Sequence, residues 1–330
     1  MLIYTPPRAA TSIPVIDIGS DTADGKLKAA AEIHRACRET GFFYVSNHGV
    51  SPDLVAAQFA AAKKFFELPL DDKMALFMKK SSAGAGYEPV GGQVLDSQAG
   101  AKGVPDLKEG FRFGAELPAD HPWSLRRIRS YGHNQWPDAL PGFREQNLLY
   151  RERIMALGER ILELMALSLD LDQDWFKKFY QMPLGTVGLL KYQPQPANAA
   201  FNQIGAGAHT DWGGITILAQ DDIGGLEVRN ADGDWITAPP MPGTFVINLG
   251  DLMARWTNGL YNSNMHRVKN NQSGRDRYSI PVFYSPNPDS VIEAIPTCVT
   301  DDNPRRFATC TAAEHIGEMF NRAYGMAKTA

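Results

Sequence analysis

From Pro183 onward the chain is cut into short apolar runs separated by turn residues, and this limits its possible folds more than any other feature. Residues 187–192, 214–218, 226–228, 235–237, 244–248 and 277–284 are each of strand length and rich in strand-forming side chains. Asn230-Ala231-Asp232-Gly233-Asp234 supplies a turn between two of them. Many short strands with turn signals predict a sandwich or a barrel. In the last run Arg277, Ser279 and Phe283 share one face, while Tyr278, Ile280, Val282 and Tyr284 share the other. Pro281 has no N–H to give a ladder, which predicts a bulge or a sheet edge there.

The half before Pro183 reads differently. Residues 13–17 form a short strand entry. Residues 24–40 suit a helix, with Leu27, Ala31, His34 and Cys37 on one face and Gly41 placed to end it. Phe42-Phe43-Tyr44-Val45 predicts a buried strand. Ser51 as a capping hydroxyl and Pro52 at the first helical position start another helix, which ends at Pro69. The strongest helix signal covers residues 141–169, where Phe143, Ile154, Leu157, Ile161, Leu164 and Ser168 make a stripe to lie against a sheet. Shorter helices are expected over 175–180 and 312–324. Between them, residues 81–105 crowd Gly84, Gly86, Gly91, Gly92, Gly100 and Gly103 into a stretch with few core residues. Such a stretch predicts a functional lid or a poorly ordered segment. Tyr87 within it, and Phe111 and Phe113 after it, either reach over a pocket or pack at the surface.

Composition narrows the functional classes. Of 330 residues, 44% are hydrophobic and 21% charged, as expected of a soluble globular protein with a substantial core. A formal charge of -4 gives no reason to expect a nucleic-acid or anionic-membrane partner. Cys37, Cys298 and Cys310 are spaced as free thiols of a reducing compartment, not as a disulfide frame or a zinc knuckle. The stretch from Met1 to Pro7 carries no basic segment followed by an apolar run, so the expectation is a cytoplasmic protein without a signal peptide.

The chemistry concentrates between His209 and Ser279. On an extended strand His209 and Asp211 aim an imidazole and a carboxylate at one point, with Thr210 turned away. A third ligand from His266 would complete two histidines and one carboxylate on one face of a metal. That set leaves positions open and favours non-haem Fe(II) and oxygen chemistry. Arg277 and Ser279, again two apart, can present a guanidinium fork and a hydroxyl to a carboxylate beside the metal. Trp212 and Phe283 are expected to line the pocket. His34, His48, His121, His133 and His315 have no partner pattern and are read as structural, and Asp251 as a helix cap.

These residues resemble the isopenicillin N synthase-like branch of the Fe(II)/2-oxoglutarate-dependent dioxygenases. The resemblance is carried by His209-Thr210-Asp211-Trp212-Gly213-Gly214, Asn248-Leu249-Gly250-Asp251, His266-Arg267-Val268 and Arg277-Tyr278-Ser279. It extends upstream to Gly41-Phe42-Phe43-Tyr44-Val45, Asn47-His48-Gly49-Val50 and Asp106-Leu107-Lys108-Glu109. It implies a mainly β fold with flanking helices, a double-stranded β-helix (jelly roll) core and an N-terminal helical region. The expected division is an N-terminal region over 1–125, backbone helices over 126–182, the core over 183–290 and a helical tail over 291–330. It implies His209, Asp211 and His266 as Fe(II) ligands. Arg277, Ser279 and Tyr192 would hold the 2-oxoglutarate carboxylate, with O2 as the other co-substrate. Where the family often reads Asn-Tyr-Tyr-Pro-Pro, this chain has Lys191-Tyr192-Gln193-Pro194-Gln195, which predicts a different pocket wall. The expected activity is oxidation, by hydroxylation, of a small organic molecule by a monomer or small homo-oligomer. Two rivals share the motif: a 2-oxoglutarate-independent oxidase of the isopenicillin N synthase type, and a non-catalytic jelly-roll module that binds a small acid.

Overall fold

The computed structural model describes residues 10–95, 105–126, 131–195 and 204–323; the expectations for Gly100 and Gly103 lie outside them. In chain order the N-terminal half runs β1 (Val15–Asp17), α1 (Ala23–Glu39), β2 (Phe42–Ser46), α2 (Pro52–Phe66), α3 (Leu70–Ala75), β3 (Gly86–Glu88) and β4 (Glu109–Phe113). It continues with β5 (Ala115–Glu116), α4 (Pro122–Leu125), β6 (Tyr131–Gly132) and α5 (Phe143–Leu167). The C-terminal half adds β7 (Leu184–Tyr192), β8 (Ala206–His209), β9 (Ile215–Gln220), β10 (Leu226–Arg229), β11 (Trp235–Thr237), β12 (Phe245–Leu249) and α6 (Asp251–Trp256). It ends with β13 (His266–Val268), β14 (Arg277–Ser285), β15 (Val291–Ile292), β16 (Cys310–Thr311) and α7 (Ala312–Ala323).

Two sheets make the core. The larger has the order β1-β2-β12-β9-β14-β7-β4-β3, antiparallel except for β1 beside β2. The smaller has the order β11-β10-β13-β8. Strand alternation divides the large sheet's side chains cleanly between its two faces. Phe43, Phe111, Phe113, Val187, Leu189, Ile215, Ile217, Phe245, Ile247, Tyr278, Ile280, Val282 and Tyr284 pack against α1, α2 and α5. Phe42, Tyr44, Tyr192 and Val246 point the other way, onto Ala206, Leu226, Val228 and Val268 of the small sheet. The outcome is the jelly roll, backed by helices. The alternation expected along β14 holds at every named position.

Several expectations are corrected. Tyr87, Phe111 and Phe113 neither roof a pocket nor sit at the surface; they are 2%, 0% and 1% exposed in the helix-side core. Alternation along β4 sets a choice: Phe111 and Phe113 face the helices, or Arg112 does. Each buried ring gains about 1.5–3 kcal/mol, and a guanidinium buried unpaired in that layer would cost more. Pro281 marks neither bulge nor edge. It lies in a central strand, paired to Leu218 of β9, and the β7 ladder skips Ile280 and Pro281 without changing register. Ser51 makes no side-chain cap hydrogen bond, and residues 177–179 form only a 3-10 turn. Asp251 is the first residue of α6, after its N-cap Gly250. The stripe on α5 is buried as expected, and Gly158 on it leaves room for the Tyr284 ring: a Cβ there would stand 2.8 Å from ring carbons.

Candidate active site

The site forms where the two sheets part. β8 ends at His209, so Asp211 sits just past the strand, its carbonyl bonded by Asp251 N–H at 2.7 Å. His266 on β13 is the direct cross-strand partner of His209. Their ring centroids are 4.3 Å apart. Asp211 Oδ1 lies 4.0 Å from His209 Nε2 and 3.9 Å from His266 Nε2. One ligand atom from each of the three falls within 4.8 Å of the others, the only such cluster among the described residues.

The surroundings aim these groups. Asp211 Oδ2 accepts Thr216 Oγ1 at 2.5 Å and Asn248 Nδ2 at 2.7 Å, which leaves Oδ1 toward the histidines. The Gly207 carbonyl stands 2.7 Å from His209 Nδ1. A carbonyl only accepts, so Nδ1 carries the proton and Nε2 keeps its lone pair. Thr210 turns its hydroxyl to Asp251 Oδ2, 3.0 Å away. Burial, then the neighbouring His266, pushes His209 down to about 3, so its imidazole is neutral. Burial pulls the Asp211 carboxyl upward, but His266, His209, Asn248 and Thr216 together hold it below its ordinary range.

A cavity of about 200 Å³ extends from the triad. At one end Arg277 is 1% exposed, with Nη2 donating to Gln220 Oε1 at 3.2 Å and its guanidinium 4.6 Å over the Tyr192 ring. Its Nε and Nη1 have no hydrogen-bond partner among the described residues. Ser279 lies two residues along the same strand face and also lines the cavity. The other walls are largely apolar: Leu190, Leu218, Leu226, Trp212, Phe283, Pro281 and, from α7, Ile316. Of the five aromatics named from sequence, only Trp212 and Phe283 line the cavity. From the glycine-rich stretch Gly84, Gln93 and Leu95 do. Sequence reasoning missed Thr216, Asn248 and Gln220, although alternation from the apolar residues of β9 and β12 would have turned all three inward. It also gave no site role to Lys108, just before β4, or to Arg112 within β4, both of which line the cavity.

Two family models match the chain: that for the "non-haem dioxygenase in morphine synthesis N-terminal" region over residues 13–139, and that for the 2OG-Fe(II) oxygenase superfamily over residues 181–286. A 2-oxoglutarate-Fe(II) type oxidoreductase of Emericella nidulans is 37% identical, across 97% of this chain and 93% of that protein. Among solved structures, a full-length Neurospora crassa protein in complex with alpha-KG (2-oxoglutarate) and thymine is 29% identical with a TM-score of 0.82. That alignment covers 96% of this chain and 97% of the other. A dioxygenase for auxin oxidation in rice is 30% identical with a TM-score of 0.72, covering 95% of this chain and 96% of that one.

Proposed function

The chain belongs to the Fe(II)- and 2-oxoglutarate-dependent oxygenases, and from that membership we propose that His209, Asp211 and His266 hold its iron while Arg277, Ser279 and Tyr192 receive the distal carboxylate of 2-oxoglutarate. The enzyme is a non-haem iron dioxygenase that oxidises a small organic molecule, with Fe(II) as cofactor and 2-oxoglutarate and O2 as co-substrates. Hydroxylation of a C–H bond is the outcome we assign.

The residues fit the groups they would hold. Two imidazole nitrogens and one carboxylate oxygen suit a divalent iron and leave coordination positions for other ligands. The observation that carries the reading lies beside them: a buried guanidinium at the cavity wall, two of whose nitrogens have no partner among the described residues. Burying such donors is costly unless an acceptor arrives. A carboxylate on the Nη1–Nη2 edge takes one N–H from each in the fork geometry, with the other N–H of Nη2 kept for Gln220. When bound, iron and 2-oxoglutarate supply the hard chemistry, in which O2 drives decarboxylation to succinate and CO2 and leaves one oxygen atom for the substrate. The chain's residues prepare that step. Gln220 and the Tyr192 ring fix the guanidinium, and Ser279 adds a hydroxyl. Thr216 and Asn248 keep Asp211 Oδ1 toward the metal. Trp212, Phe283 and the leucines exclude water and shape a partly apolar place for the substrate. The Neurospora relative is solved with thymine and the rice relative is named for auxin oxidation, both small organic molecules.

The test supplies Fe(II), 2-oxoglutarate and O2 with a panel of small, partly apolar substrates and measures succinate. A substrate-stimulated signal that is abolished in His209→Ala and in His266→Ala is expected. Succinate formation surviving either substitution would overturn the ligand assignment. Oxygen consumption indifferent to 2-oxoglutarate would overturn the co-substrate assignment.

A further inference from the structure

Lys108 and Asp106 are buried side by side just before β4, with 5% and 2% of their side chains exposed, and the scheme above does not use them. Lys108 Nζ donates to Asp106 Oδ2 at 2.5 Å. Asp106 Oδ1 accepts the backbone N–H of Gly207 at 2.9 Å. The carbonyl of that same Gly207 takes the proton of His209 Nδ1. The groups form one line, from an ammonium at the cavity wall to the nitrogen opposite the ligating one. A second tie runs in parallel, from Leu107 N–H to Ile204 O at 3.2 Å.

The need for such a line follows from the topology. β8 is an edge strand of the small sheet and among the described residues pairs only with β13, through a ladder whose register shifts between His266 and Val268. An edge strand held by one irregular ladder leaves its last residue poorly aimed, and that residue is His209. The segment 106–108, continuous with β4 of the large sheet, grips β8 from its open side. A buried ion pair is a weak source of stability, since desolvation offsets most of the attraction. Its geometric effect is therefore the better account of it. Groups bonded to the far nitrogen of a metal-binding histidine set its tautomer and orientation.

We propose that Lys108 and Asp106 are positioning residues for the metal: through Gly207 they fix the tautomer and aim of His209. The proposal rests on the ligand role given to His209 above. It is read from the metal affinity of the full-length, metal-stripped protein, titrated with Mn(II) alone and followed by the resonance of the free ion. Asp106→Ala is expected to weaken Mn(II) binding about 10–100-fold. Lys108→Met should move it the same way, and Lys108→Arg should restore most of the loss. Lys73→Met is the control: it breaks a comparable buried pair, Lys73 with Glu109 at 2.8 Å, set against the helix-side Tyr87. It is expected to lower the unfolding midpoint and leave Mn(II) affinity alone. Folded Asp106→Ala and Lys108→Met proteins binding Mn(II) like the parent would overturn the proposal, and so would Lys73→Met weakening it equally. If Asp106→Ala does not fold, Lys108→Met and its rescue by arginine decide. A parent that binds no Mn(II) sinks the ligand assignment itself, whereas a binding parent with indifferent variants sinks only the positioning role.

Discussion

Replacing Arg277 by methionine is expected to cripple 2-oxoglutarate binding while leaving the ligand-free fold almost as stable as before. Both effects come from the same guanidinium. Nη1 has no partner among the described residues and Nη2 has a second N–H beside the one given to Gln220, so a carboxylate on that edge supplies two hydrogen bonds. Each bond to a charged group contributes about 1.5–3 kcal/mol. Losing two removes about 3–6 kcal/mol, or roughly two to four decades of affinity. Without ligand the unpartnered Nε and Nη1 are a burden of about 1–3 kcal/mol each, which methionine relieves. Against that relief stand the lost bond to Gln220 and the lost contact with the Tyr192 ring, the latter worth about 2 kcal/mol when desolvated. The terms nearly cancel. An arginine already paired inside the protein would behave otherwise, since breaking a buried pair costs about 3–5 kcal/mol. The assay is anaerobic calorimetry of 2-oxoglutarate binding to the Mn(II)-loaded protein, beside urea unfolding of the metal-free protein. Arg277→Lys keeps the charge but loses the fork, and should fall between parent and methionine in affinity. Affinity within tenfold of the parent, or a stability loss beyond about 3 kcal/mol, refutes the reasoning, because Arg277 would then have its partner in the fold.

Four further outcomes are expected. Phe111→Ala should cost about 3–5 kcal/mol in urea unfolding, as a core ring does, with 2-oxoglutarate affinity unchanged. Phe283→Ala should cost less and instead alter the KM for the oxidised substrate in the succinate assay. Gly158→Ala should destabilise by about 1–3 kcal/mol: the overpacking against Tyr284 outweighs the roughly 1 kcal/mol by which a helix prefers alanine, and a net gain in the unfolding midpoint would contradict this. His34 is held below its ordinary 6.5 by burial and then by Arg38, which donates to Nε2. The unfolded chain therefore takes up this proton first, and stability is full above about pH 6.5 and falls as the pH drops below it. Unfolding midpoints between pH 7.5 and 5.5 should show that loss, reduced in His34→Gln.

The strands of the C-terminal half, and the division of β14 into two faces, were legible because a period of two is written residue by residue. The same rule, carried along β9 and β12, would have turned Gln220, Thr216 and Asn248 inward. Tyr87, Phe111 and Phe113 were misread for a different reason. Beside a glycine-rich stretch, an aromatic can serve a pocket or a core. Only the partner layer decides, and that layer is α2 and α5, distant in sequence. Pro281 misled because the rule against proline in ladders assumes that the ladder is continuous. Here the β7 ladder skips that step, opposite Gly188, and the register survives.

The proposed metal ligands and the line behind them differ in the same way. His209, Asp211 and His266 can be named from residue type and spacing, because the chemistry of a metal restricts both. Nothing restricts an ion pair that acts through a backbone amide 101 residues away. Asp106 and Lys108 stand out in the sequence only as part of a stretch that resembles the family, with no role attached, before a strand whose own pattern points elsewhere. Their role becomes visible only when β8 is seen to be an edge strand with an imperfect ladder, a property of the assembled sheets. The region before Pro183 therefore does more than wrap the jelly roll. It supplies a grip on the open side of an edge strand, and that strand carries the first of the two histidines.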